Sequence, residues 1–211
     1  MPKPTFFNLP AGKRNSFVKI AMQEFADREY HSASVSKIVE HAGIAKGSVY
    51  QYFRDKQDLF LYLLDAAQGE LIAFIQRSAP PQKKEDFFAA LRRQMSATVE
   101  ASHKYPVHAK LVMRAYSSPL PFRDKVLEGA RTLRQDYYRT MITQAQSSGQ
   151  LNPGLDPALA GLLIQGVMNE IGPFLQAKFG RRNNWGDLPE VEDVFDQAIG
   201  LLKRGLGTRR R

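Results

Sequence analysis

Cysteine is absent from the 211 residues, which excludes disulfides and thiolate metal sites and fits a reducing compartment. Histidine is scarce. Of His31, His41, His103 and His108, the last two straddle a Tyr-Pro break and lack the carboxylate-rich i, i+4 setting of a metal site, so no metal and no cofactor is expected. No glycine-rich phosphate loop, serine elbow or paired-carboxylate motif stands out, and the chain does not read as an enzyme. No apolar run approaches the ~18 residues that suggest a membrane span. The start MPKPTFFNLP lacks the apolar core of a secretory signal. These absences lead to the expectation of a cytoplasmic, globular protein without a membrane partner.

What is present is helical and basic. The 30 Lys+Arg against 21 Asp+Glu give a net charge of +9, which favours a polyanionic partner. Residues 1–60 carry 9 basic and 6 acidic residues, a net of +3, and the remainder therefore +6. The excess is spread along the chain, so a claim on DNA has to rest on local geometry.

That geometry lies in Ala42 to Phe60, AGIAKGSVYQYFRDKQDLF. Ser34 is placed to cap a short helix from Val35 to His41. Gly43 sits where the chain turns into a second short helix, a position suited to positive φ. Ile38, Ala42, Ile44 and Val49 form one apolar side, closed by Tyr52 and Phe53. Left outside are Ser36, Lys37, Lys46, Gly47, Ser48, Tyr50 and Gln51, whose ammonium, hydroxyl and amide groups suit phosphates and base edges. Asp55 is a good N-cap for the next helix, and Lys56 lies in its first turn, where a cation opposes the helix dipole.

Ile38, Ala42-Gly43-Ile44, Lys46-Gly47-Ser48, Tyr50, Tyr52-Phe53, Lys56 and Leu59, with Phe17, Ile20, Ala21, Phe25 and Tyr30 upstream, resemble the N-terminal domain of the tetracycline-repressor (TetR/AcrR) family of transcription regulators. Val39 and Glu29 depart from it, standing where the family commonly has alanine and glycine. The resemblance implies an all-α fold of nine helices, with a three-helix DNA-binding head at 11–71 (helix-turn-helix about 34–53) and an effector-binding and dimerising body at 72–211. It implies that Lys46, Gly47 and Ser48 reach base edges and that Tyr50, Tyr52 and Lys56 meet phosphates. Ser34, Ser36 and Lys37 add contacts from the preceding helix, and Gln51 is an adenine-competent amide. The Tyr52 ring belongs to the apolar set, with only its hydroxyl reaching out. The expected function is a homodimeric repressor released from a palindromic double-stranded operator by an unknown small molecule. The alternatives are a constitutive architectural DNA binder and, remotely, an all-helical enzyme.

The remaining sequence is helix after helix. Helices are expected at about 13–27, 35–41, 46–53, 55–77, 85–103, 106–116, 123–147, 156–178 and 190–206, separated by Ala79-Pro80-Pro81, Tyr105-Pro106, Ser117-Ser118-Pro119, Gly149 and the 180–189 loop. Leu159, Leu162, Leu163, Gly166 and Val167, and Val191, Val194, Phe195, Ala198, Leu201 and Leu202, recur at helical spacing and suit a four-helix dimer interface or a monomer core. Met95, Met113, Tyr116, Phe122, Tyr137, Met141 and Phe174 are candidates for an apolar effector pocket, with Arg114 and Glu170 as charged partners; ordinary packing explains the apolar ones equally well. The segment before the first helix, including Lys3, reads as a solvated start, with contact to the minor groove as the alternative. The Arg209–Arg211 end reads as solvated, with a general phosphate contact as the alternative.

Overall fold

The computed structural model describes residues 2–80, 82, 85–180 and 188–208, without the side chains of Lys46 and 129–137. The Arg209–Arg211 end lies outside the described residues. Among those described there are ten α-helices and one 3-10 turn. The helices are α1 (Pro4–Phe7), α2 (Ala11–Asp27), α3 (Val35–His41), α4 (Val49–Tyr52) preceded by the turn Lys46–Ser48, α5 (Lys56–Ser78), α6 (Phe87–Lys104), α7 (Pro106–Ser117), α8 (Arg123–Ser147), α9 (Pro157–Phe179) and α10 (Pro189–Leu206). The addition to the nine expected helices is α1. Pro4 supplies the fixed φ suited to a first helical position, and Phe6 has no exposed surface. The start of the chain is therefore anchored through Phe6, while Lys3, Pro4, Thr5, Phe7 and Asn8 stay exposed.

By packing, the chain forms two compact units, Met1–Ile72 with Tyr105–Leu127, and Ala73–Lys104 with Glu128–Arg211. The core of the first is aromatic. Phe6 lies 5.0 Å from Phe53, 5.4 Å from Tyr62 and 6.1 Å from Phe17, ring centre to ring centre. Tyr30, Phe60 and Phe122 form a second group, with Phe122 4.8 Å from Tyr30 in an edge-on arrangement. Full burial of one such ring stabilises by about 1.5–3 kcal/mol. Helix α7 packs on α2, where Lys110 reaches Asp27 at 2.6 Å, so segment 106–126 belongs by packing with the helices that open the chain.

The second unit is built from α6, α9, α10 and most of α8 around Phe87, Leu91, Met95, Ile142, Ile164, Leu175, Val191 and Phe195. Asp156 caps α9 by accepting from the Ala158 N–H at 2.7 Å. Arg92 on α6 bridges Glu192 and Asp196 on α10. These contacts settle the two apolar stripes. Val191, Val194 and Phe195 are buried in the monomer core, whereas Leu159, Leu162, Leu163 and Leu201 are half to two-thirds exposed.

Helix α9 is, by length and composition, apolar enough to cross a membrane, although Gln165, Asn169 and Glu170 break it into shorter apolar runs. One such helix is weak grounds for a membrane span.

Candidate nucleic-acid interface

Helix α3 starts where Ser34 Oγ accepts from the Lys37 N–H at 3.3 Å, and the Ser34 N–H donates to Glu24 Oε1 at 2.9 Å. Its end is closed by glycine. Gly43 takes φ +62°, its N–H donates to Glu40 O at 3.2 Å, and the Ile44 N–H donates to Val39 O at 3.0 Å. This pair of bonds is the Schellman arrangement, which satisfies carbonyls that the helix itself leaves open. The chain then turns through Lys46–Ser48 into α4. Ile38, Val39, Val49 and Phe53 are buried, with Ala42, Ile44 and Tyr52 packed against them. The two short helices thus share a core on one side and leave the other side open.

On that open side Ser36, Lys37, Gly47, Tyr50 and Gln51 are exposed and Ser48 is half-exposed. The Tyr50 ring has 54% of its surface in solvent. Ser34 is half-buried and its hydroxyl serves the helix cap. The Tyr52 ring packs 5.9 Å from Phe6. The backbone of Lys46 opens the 3-10 turn, while its side chain lies outside the described residues.

Lys56 is committed locally. Its Nζ donates to His31 O at 3.2 Å and lies over the Tyr30 ring, and burial pushes its ammonium below the ordinary lysine value. Ahead of it, Asp55 Oδ1 accepts from the Asp58 N–H at 2.7 Å, and the buried Asp58 accepts from the Arg54 N–H at 3.2 Å. The cap expected of Asp55 is therefore doubled by a second carboxylate that the sequence alone did not single out.

The family description for bacterial regulatory proteins of the tetR family matches residues 17–63, the stretch containing both short helices. Over its whole length the chain is similar to a crystallised TetR family transcriptional regulator from Chloroflexus aurantiacus J-10-FL, with 32% identity, 99% of this chain and 100% of that chain covered, and a TM-score of 0.79. The chain belongs to the TetR family. It is a DNA-binding transcriptional regulator by that membership, in a family of regulators rather than enzymes. It is also similar to the fatty acid metabolism regulator protein of Bacillus subtilis, 28% identical over 166 residues that cover 75% of this chain and 82% of the relative. The crystallised FadR of Bacillus subtilis, in complex with stearoyl-CoA, shares the TetR fold at 22% identity and a TM-score of 0.72, covering 90% of this chain and 98% of that one.

The candidate effector residues do not form one cluster within either unit of this TetR-family chain. Met113, Arg114, Tyr116 and Phe122 belong to the first unit, and Met95, Met141, Glu170 and Phe174 to the second. Phe122 is buried against Tyr30 and Phe60, and Met95 is wholly buried in the second core. Arg114 donates to Asp27 O at 3.4 Å, while the Tyr116 hydroxyl accepts from Gln68 at 2.6 Å. Glu170 is exposed, as is Phe174, and Met141 packs at the edge of the second core. The Tyr137 side chain lies outside the described residues.

Proposed function

We propose that this chain is a sequence-specific repressor that binds a palindromic operator as a homodimer and leaves it when a small molecule occupies the body. The supporting observation is the open face of the α3–α4 pair: Ser36, Lys37, Gly47, Ser48, Tyr50 and Gln51 are accessible together while the opposite face is sealed in the core. In this reading Gly47 and Ser48, with Lys46 ahead of them, approach base edges. Lys37, Tyr50, Tyr52 and Lys56 meet phosphates, with Ser34 and Ser36 beside them. The division of labour is a DNA-binding domain at 11–71 and an effector and dimerisation domain at 72–211, acting in the cytoplasm.

A single short reading helix covers few base pairs, and a second copy about 34–36 Å away supplies the other half-site. Leu159, Leu162, Leu163 and Leu201, exposed on α9 and α10, are the surface assigned to that pairing. An effector shifts the equilibrium only by its differential affinity for the two states. The effector candidates are Met113, Arg114, Tyr116 and Phe122 in the first unit and Met95, Tyr137, Met141, Glu170 and Phe174 in the second, and kinship with a fatty acid regulator makes a long-chain acyl thioester the first effector to test.

Selection from random duplexes followed by footprinting tests the first part; enrichment of a palindrome supports it, and equal protection of all fragments refutes it. Stearoyl-CoA, coenzyme A and stearate added to the complex test the second. Release by the thioester alone is the expected result, and no release by any of the three removes this effector class.

A further inference from the structure

Helix α4 is far shorter than the helices that hold themselves in water, and the last carbonyls of any helix lack intrahelical donors. All four carbonyls from Val49 to Tyr52 nevertheless have partners. Val49 O accepts from the Phe53 N–H at 2.8 Å and Tyr52 O from the Lys3 N–H at 2.7 Å. Tyr50 O accepts from Lys3 Nζ at 2.8 Å, and Gln51 O from Thr5 Oγ1 at 2.6 Å. Three of these four donors come from the opening residues of the chain. Those residues are themselves held: Phe6 is wholly buried within the aromatic core, and Arg14 donates to Phe7 O at 3.0 Å.

We propose that Lys3, Thr5 and Phe6 form a positioning strap that fixes the pose of the reading element and so sets its sequence preference, without touching DNA. The inference rests on the DNA-reading role proposed above. It separates two uses of the Lys3 charge. A cation in the minor groove displaces counterions, and its loss lowers the salt dependence of binding by about one unit. A cation spent on carbonyls at the negative end of a helix acts through pose, and its loss lowers selectivity while leaving the salt dependence as it was.

The test uses the full chain with Lys3→Met, Thr5→Val, the double variant, and Thr5→Ser as the conservative replacement that keeps the hydroxyl. Amide exchange in the free protein is measured at Phe53, with α2 amides as the internal reference. Affinity for the selected operator and for a random duplex is measured across a salt series. For the double variant the expected results are Phe53 exchange faster by about tenfold, operator affinity lower by about tenfold, random-duplex affinity within about twofold, and an unchanged salt slope. Thr5→Ser should behave as wild type. A slope reduced by about one unit in Lys3→Met, equal losses on operator and random DNA, or full retention of selectivity each overturns the proposal. If the double variant does not fold, Thr5→Val, which deletes one bond, is judged by the same criteria. Wild-type protein that prefers no duplex refutes the regulator reading itself, an outcome distinct from preference that survives in the variants.

Discussion

The ammonium of Lys56 lies 4.7 Å from the centroid of the Tyr30 ring. It joins the start of α5 to the turn between α2 and α3, and the bond to His31 O fixes it there. Two effects are therefore expected of Lys56→Ala. Stability should fall by about 0.5–1 kcal/mol for the lost cation–π contact, read by chemical denaturation. Affinity should fall alike for all DNA sequences, with a salt slope lower by about one unit. An unchanged slope would leave Lys56 a brace and remove it from the phosphate contacts.

Gly43 offers a cleaner separation of backbone from packing. A Cβ placed on it meets nothing within 4 Å, so any penalty comes from its positive φ. Gly43→Ala should cost about 1–2 kcal/mol, and Gly43→Asn less, because asparagine tolerates the left-handed region. Equal denaturation midpoints for Ala, Asn and wild type would contradict this assignment of strain.

Ser48 makes no cap bond from its side chain, so its hydroxyl is available to a ligand. Ser48→Ala should leave thermal stability within about 0.5 kcal/mol of wild type. It should also alter preference at one base pair of each half-site by about 1–3 kcal/mol. Competition between operators differing at single positions reads this out, and a uniform loss at every position would move Ser48 to the non-specific contacts.

Leu162 and Leu201 are each 65% exposed, so Leu162→Glu and Leu201→Glu should not disturb the monomer fold. If this surface pairs two copies, either change shifts sedimentation from dimer to monomer and lowers operator affinity on the order of a hundredfold, since the second half-site is no longer tethered. A dimer that survives both substitutions would place the interface elsewhere.

His103 carries a pH signature. Burial pushes its imidazole below the ordinary value of 6.5. Between the folded value and 6.5 the unfolded chain binds more protons than the folded one, so stability rises with pH across that window. The contribution of the neutral ring is complete above 6.5 and is lost as pH falls through the folded value. His103→Gln should flatten the dependence of Tm on pH below about 6.5 relative to wild type; parallel curves would exclude His103 as its source.

The helices were legible because their signals are local. Phe17, Ala21 and Phe25 repeat at helical spacing and are buried, Ser34 and Asp156 cap as their side-chain chemistry suggests, and Gly43 and Gly149 take positive φ. Two kinds of fact escaped. The strap depends on bonds between residues 46 to 49 positions apart; its local trace was a proline ahead of two phenylalanines, too short for a periodic pattern. Periodicity also marks a residue as apolar without naming what covers it. Val191 and Phe195 fill the core of their own unit while Leu201 on the same helix stays exposed, and Phe122, read as a pocket candidate, packs against Tyr30. Which exposed side chains read bases is a matter of a partner, and a single chain carries only half of that information.

The wide sequence separation of the strap bonds also orders events in time. A refolding chain winds α2 and α5 from neighbouring residues, but satisfying the α4 carbonyls requires closing loops of 46 to 49 residues. The proposed reading surface is therefore completed only after that loop closes, so warming that frees Lys3 and Thr5 from the α4 carbonyls should erode discrimination between operators while α2 and α5 still give a native signal.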